Sequence, residues 1–168
     1  KAPRQYKYWH CRGHRVNRST HRMNFGVLAR PSLHSGGAMM NQPRKMHATV
    51  ICLQESKILL VRKEAPEWSL PGGKIDPGET QLDAASRELQ EETCLQLTGA
   101  QFLGHHILTN EEHWLYRMTV NQTAAPRPSH EIVECCWFEV DDLTHLSLKP
   151  TNLELLRREG FVVERDQN

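Results

Sequence analysis

The chain has no apolar run longer than about four residues, the longest being Val50–Leu53 and Ile58–Val61. A membrane helix needs ~20, so a transmembrane protein is not expected. The five cysteines (Cys11, Cys52, Cys94, Cys135 and Cys136) form no paired framework, and two of them are adjacent. That spacing argues against a disulfide-stapled secreted domain. No basic segment leads into an apolar stretch and a cleavage site, so no secretory signal is expected. A reducing, cytoplasmic setting is the expectation.

Acidic residues are missing from the first 54 residues. The first is Glu55, whereas residues 1–47 hold ten Lys/Arg and five of the ten histidines. Residues 48–168 reverse the balance, with eleven Lys/Arg against twenty Asp/Glu. The near-neutral total of +1 therefore hides two kinds of sequence. The acidic part repels nucleic acid; the basic part invites it.

Residues 1–45 also lack any sustained period of 2 or 3.6, and they are poor in aliphatics. They read as a disordered or loosely attached arm, separate from a domain at 46–168. Three origins stay open for the arm. The first is an extension upstream of a start at Met39 or Met40, since residue 1 is Lys. The second is an organelle-targeting segment. The third is a nucleic-acid-binding arm, the one route by which this chain would meet nucleic acid. His10-Cys11-x-x-His14 with His21 lacks a second ligand pair and is a weak zinc signal.

From His47 the pattern sharpens. His47–Leu53 and Lys57–Arg62 are apolar runs around a polar turn, which predicts a hairpin. Trp68–Gly73 reads as a loop, with Pro71 fixing one φ and Gly72-Gly73 permitting close backbone approach. Thr80 is placed to cap a helix over about 81–93. Strands are expected at 97–108, 114–120 and 134–140, with a turn at Asn110–Glu112 and a Pro-rich loop at 121–130. A short helix at 142–146 and a terminal helix at 151–159, stopped by Gly160, complete a mixed α+β order around one core.

The helix at 81–93 carries the chemical signal. At 100° per residue, Glu88, Glu91 and Glu92 share an arc of about 100°, beside a seam of Leu82, Ala85 and Leu89. Like charges at these spacings repel by a few tenths of a kcal/mol per pair. Only Arg87 offers compensation, reaching Glu91 at i+4. A divalent cation among the carboxylates explains a cluster that otherwise repels itself. The competing reading is a solvated acidic face beside an ordinary Gly-Gly turn.

The spacing decides between them. Gly73, five residues, Glu79, seven residues, then Arg87-Glu88-Leu89-Gln90-Glu91-Glu92-Thr93-Cys94-Leu95 resembles the Nudix box, G-x5-E-x7-R-E-U-x-E-E-x-G-U, where U is bulky and aliphatic. Eight of nine defined positions match; Cys94 stands where the box has Gly. Leu70-Pro71-Gly72-Gly73-Lys74 and Gly78-Glu79-Thr80 extend the likeness, and the element order carries it over about 46–158. The departure falls at the helix end, where a left-handed residue is common and Cys pays about 1 kcal/mol to supply it.

The resemblance implies a Nudix fold, an α/β/α sandwich with a mixed sheet between helices and a loop–helix–loop metal site. It implies a Mg²⁺-dependent pyrophosphohydrolase, with Mn²⁺ as a substitute, acting on a nucleoside diphosphate linked to another moiety. By similarity, Glu88, Glu91 and Glu92 resemble the metal carboxylates, with the Gly72 or Gly73 carbonyl as backbone ligand. Arg87 resembles the residue that orients Glu91, and Glu79 supports the site. The general base is left open between the box carboxylates and a later loop, where Glu131 is the best candidate and Glu111 and Glu112 are weaker. The short chain is most similar to the MutT-like group, which points to nucleoside triphosphates. Lys74 is a candidate phosphate contact. Trp68, Trp114 and Tyr116 are candidates to stack on a base, with core packing as the competing reading. His105 and His106 fall on opposite faces of one strand, which argues against a shared metal. A monomer or homodimer is expected. The rival function is a non-catalytic nucleotide- or nucleic-acid-binding module, whose members usually lose box carboxylates; this chain keeps them.

Overall fold

A computed structural model describes residues 43–163, so the expectations about the basic arm lie outside the described residues apart from its last three positions. Seven strands form one mixed sheet. They are β1 (Lys45–Gln54), β2 (Lys57–Arg62), β3 (Trp68–Ser69), β4 (Gly72–Lys74), β5 (Gln101–Ile107), β6 (Glu111–Thr119) and β7 (Glu134–Glu139). Helix α1 spans Gln81–Thr93, a 3-10 segment spans Val140–His145, and α2 spans Pro150–Arg158. Among the described residues no helix is long and apolar enough to cross a membrane.

The sheet runs β3-β2-β1-β6-β5, with β4 also on β1 and β7 also on β2. The β1–β2 hairpin is in register for Leu53–Ile58 and Gln54–Lys57 only. Beyond that the partner of β1 on this edge becomes β4, antiparallel, with Ala48 opposite Gly73. On its other edge β1 runs parallel to β6, from Lys45–Glu111 to Leu53–Thr119. The split between β2 and β4 opens the sheet beside the first half of β1.

Alternation along β1 sorts the two cores. Ala48, Val50 and Cys52 face the α1 side and pack with Ala84, Ala85 and Leu89. Ile51 faces the α2 side and packs with Leu115, Leu155 and Leu156. His47 and Thr49 share the face of Ile51, where the sheet runs out toward the split. The expected α/β/α sandwich is thus observed.

Helix α1 starts as predicted, with the Asp83 N–H donating to Thr80 Oγ1 at 3.1 Å. It ends at Cys94, which adopts φ 60°, ψ 15° and donates its N–H to the Gln90 carbonyl. Three segments differ from the sequence reading. The loop at Trp68–Gly73 contains two short strands, because its backbone completes the exposed edges of β2 and β1. The turn expected at Asn110–Glu112 ends earlier: Glu111 and Glu112 already pair with Lys45 and Met46. The first strand after α1 starts only at Gln101, since Gly99 at φ +58° turns the chain, and it is bulged between Phe102 and Gly104.

Asn152 ties α2 to the sheet. It is buried, and its Oδ1 accepts the Leu70 N–H at 2.6 Å. Asn152→Ala should therefore cost about 1–3 kcal/mol, the penalty for an unsatisfied buried donor, read in denaturant unfolding; a change near zero would contradict that role. At Cys94, relief of left-handed strain and added unfolded-chain freedom nearly cancel. Cys94→Gly should stay within about 1 kcal/mol of the parent, whereas the β-branched Cys94→Val should lose more than about 1 kcal/mol. Equal melts for both variants would contradict the strained cap.

Candidate active site

The site is built where β4 passes between β1 and α1. Gly72 sits at φ +147°, and a Cβ there would come within 2.3 Å of the Ala48 carbonyl oxygen. A Cβ on Gly73 would lie 2.4 Å from the carboxyl carbon of Glu88. A methyl group at Gly72 would strike backbone, and one at Gly73 would push the Glu88 carboxylate aside. The acidic edge of α1 is pressed directly onto this glycine turn.

Glu92 is only 4% exposed. The Gly72 N–H donates to its Oε2 at 3.0 Å. Burial dominates and pushes the Glu92 carboxyl up to about 8; the Gly72 bond opposes this and the nearby Glu88 adds to it. A buried carboxylate beside a second carboxylate is costly unless a cation shares the space.

Arg87 braces the turn. Its Nε donates to Glu79 Oε1 at 2.8 Å and its Nη2 to Glu79 Oε2 at 3.0 Å. Nη1 donates to Glu88 Oε1 at 2.7 Å, and Nη2 also reaches the Lys74 carbonyl at 3.0 Å. Glu91 receives only a long contact of 3.5 Å from Nη1. The expected pairing of Arg87 with Glu91 is therefore the longest of its hydrogen bonds. The guanidinium fork is filled by Glu79, a bidentate geometry that outcompetes a single-point contact. That bond, with the Asp76 N–H donating to the same carboxylate, holds Glu79 below the usual carboxylate range.

A cleft of about 440 Å³ opens at the sheet split. It brings together Gly72, Gly73, Lys74, Glu88, Glu92 and Glu131 of the sequence candidates. Glu131 is ion-paired with Lys63. Glu91 lies outside the cleft wall, half-exposed beside Arg87. Trp68 and Tyr116 are not brought to it. Trp68 packs edge-on against Phe138, with ring centroids 4.8 Å apart. Tyr116 is buried in the α1-side core against Phe102. Trp114 stacks on His105, at 4.0 Å between centroids, and His106 pairs across the strands with His113 instead. The cleft also holds His47, Thr49, Lys63, His113, Lys149 and Asn152, none of which was singled out as a site residue from sequence. For His47, Thr49, His113 and Asn152 the sequence signal is a polar residue inside a strand or helix; Lys63 and Lys149 lie just outside such elements.

Comparison with known proteins agrees with this geometry. The NUDIX domain family matches residues 43–158. The chain belongs to the Nudix family of hydrolases, which act on phosphoric anhydride bonds. It is 28% identical over 120 residues to the phosphatase NudJ of Shigella boydii serotype 4, covering 65% of this chain and 76% of that protein. It is 60% identical over 48 residues to a Bacillus subtilis (strain 168) protein whose name provisionally assigns it as an 8-oxo-dGTP diphosphatase. That match covers 27% of this chain and about a third (32%) of the relative. The crystal structure of a MutT NUDIX hydrolase from Burkholderia pseudomallei superimposes with a TM-score of 0.57 at 26% identity, covering 69% of this chain and 98% of that one.

Nudix enzymes generally use divalent metals, and the residues of this cleft fit one. The donors are carboxylate and carbonyl oxygens, the set preferred by hard cations. The missing Cβ at Gly73 leaves the Glu88 carboxylate against the backbone, and Glu92 is held on the same turn.

The sign of the Glu92 shift gives a test in the metal-free protein. Its folded pKa lies above the ordinary value, so the stabilisation from its bound proton is present at low pH. It is lost as pH rises from about 4.5 toward about 8. Wild type should lose up to about 1.4 kcal/mol per pH unit across that window relative to Glu92→Gln. Parallel stability curves for the two proteins would show that Glu92 is not held neutral.

Proposed function

We propose that the chain is a Mg²⁺-dependent pyrophosphohydrolase acting on a nucleoside triphosphate or a related nucleotide, with Mn²⁺ as a substitute metal. The observation that carries this reading is the pair Glu88 and Glu92 held on the Gly72-Gly73 turn, inside a cleft that also presents Lys63, Lys74 and Lys149. Carboxylates for a cation and lysines for phosphate oxygens are the two needs of an anhydride substrate.

Glu88, Glu92 and the carbonyls of Gly72 or Gly73 would hold the metal, with Glu91 as an outer member. Bound there, Mg²⁺ supplies charge neutralisation of the diphosphate and acidification of an attacking water. Lys74 and Lys149 orient the phosphates. Arg87 keeps Glu88 in place while Glu79 keeps Arg87 in place. Of the glutamates that line the cleft, Glu92 and Glu131 are the candidate proton acceptors. Glu131 is ion-paired with Lys63, whereas burial raises the proton affinity of Glu92 above that of an ordinary carboxylate. The name of the Bacillus subtilis relative puts oxidised purine triphosphates first among the substrates to try. Cysteine usage supports a cytoplasmic setting, and a monomer or homodimer suffices because the cleft is formed within one chain.

The test is release of inorganic phosphate or pyrophosphate across nucleotide substrates with Mg²⁺. Wild type should turn over at least one, and Glu92→Gln should lose about 10²-fold or more. Glu131→Gln should match that loss if Glu131 takes the proton and stay within about tenfold of wild type if Glu92 does. Near-full activity of both variants would overturn the reading. Arg87→Ala should lose activity and, unlike Glu92→Gln, metal-free stability as well. Retention of both by Arg87→Ala would contradict its bracing role.

A further inference from the structure

A second cluster of ligating atoms lies on the other face of the sheet from α1. The parallel register of β1 and β6 sets His47 opposite His113, and Glu111 shares the face of His113 two residues earlier. The imidazole centroids are 5.0 Å apart. Glu111 Oε2 lies 3.0 Å from His113 Nε2 and 3.9 Å from His47 Nδ1. One ligand atom from each of the three residues falls within 4.8 Å of the other two.

Three features set this group apart from an ordinary buried hydrogen-bond network. First, His47 Nδ1 is buried yet has no hydrogen-bond partner, and the residue is only 9% exposed. An unpaired buried polar atom is costly and asks for a partner. Second, His113 Nδ1 is held by Thr49 Oγ1 at 2.9 Å, which fixes the ring with Nε2 toward Glu111. Metal-ligating histidines are typically oriented through their other nitrogen in this way. Third, Lys149 engages the second oxygen of Glu111, Oε1, at 3.8 Å, leaving Oε2 aimed at the imidazoles.

We propose that His47, Glu111 and His113 form a transition-metal site of the zinc class, with three protein ligands and a remaining position toward the cleft. The donor chemistry separates it from the carboxylate site on α1. Two imidazoles and one carboxylate suit Zn²⁺ and its first-row neighbours, whereas Mg²⁺ prefers oxygen alone. Tetrahedral ligands at ~2.0–2.1 Å from Zn²⁺ stand about 3.3 Å from one another. The two Glu111 separations, 3.0 and 3.9 Å, bracket that value, and the two imidazole ligand atoms lie within 4.8 Å of each other, so the group has to draw in around an ion. Burial also holds both imidazoles below their usual pKa, so each is neutral and has a lone pair to give near neutral pH. Thr49 then accepts the Nδ1 proton of His113 and frees Nε2 for the metal. His47 and His113 both line the cleft, so an ion there would sit within the walls that receive the substrate.

Zn²⁺ titration of the chelator-treated full chain by calorimetry, in excess Mg²⁺, tests the site. Wild type should bind a Zn²⁺ equivalent that Mg²⁺ does not displace. Glu111→Gln and His47→Asn should each weaken it by about tenfold or more, and Thr49→Val by about 10–100-fold. Glu88→Gln should leave it unchanged. Circular dichroism identifies which variants fold; if His47→Asn does not, Glu111→Gln decides alone. Wild-type Zn²⁺ affinity in folded Glu111→Gln, or loss of the equivalent in Glu88→Gln, would overturn the proposal. Failure of the hydrolase reading would appear as absent turnover with Zn²⁺ binding intact, so the two are distinguishable.

Discussion

The structure depends on a steric constraint at one backbone crossing. Gly72 and Gly73 lie between the β1 backbone and the acidic edge of α1: an added carbon at Gly72 would strike the β1 backbone, and one at Gly73 would displace the Glu88 carboxylate. Because β4 fits there, β1 can exchange its partner from β2 to β4, and the sheet opens beside it. Because the turn is that close, the Gly72 N–H reaches Glu92 and the Glu88 carboxylate rests on Gly73. The cleft, the placement of the carboxylates and the bracing by Arg87 all follow from this packing.

The energetic consequence is a site held ready at a cost. Glu92 is buried beside another carboxylate, and its proton affinity rises accordingly. Arg87 offsets part of the charge, mainly through Glu79 and Glu88 and only by a long contact with Glu91. Local strain of a different origin lies at Cys94, where a non-glycine residue takes the left-handed conformation to end α1. Tight helix packing over Ala84, Ala85 and Leu89 keeps both features in place.

Much of this was legible in the sequence because it is local. The helix, its Thr80 cap, its left-handed end and the common arc of the carboxylates depend on spacings within 15 residues. The Gly-Gly turn was legible as a close approach, although its strand character was not. That character comes from pairing with β1, more than 20 residues earlier. The same limit explains the other differences. Trp68 and Tyr116 have the right chemistry to stack on a base, but sheet register turns them into the two cores. The juxtaposition of His47 with His113 needs the parallel β1–β6 register, a long-range pairing that no periodicity encodes. Lys63, just after β2, and Lys149 and Asn152, at the start of α2, enter the cleft together for the same reason.

The central claim is that the glycine turn and the α1 carboxylates together form one divalent-cation site. Mn²⁺ binding to the metal-free full chain, compared between wild type and Gly73→Ala, tests it most directly, since the substitution changes no charge and the three atoms nearest the added methyl all belong to the Glu88 carboxylate. The account predicts a folded variant whose Mn²⁺ affinity falls by about tenfold or more. Unchanged affinity in a folded Gly73→Ala protein would contradict it.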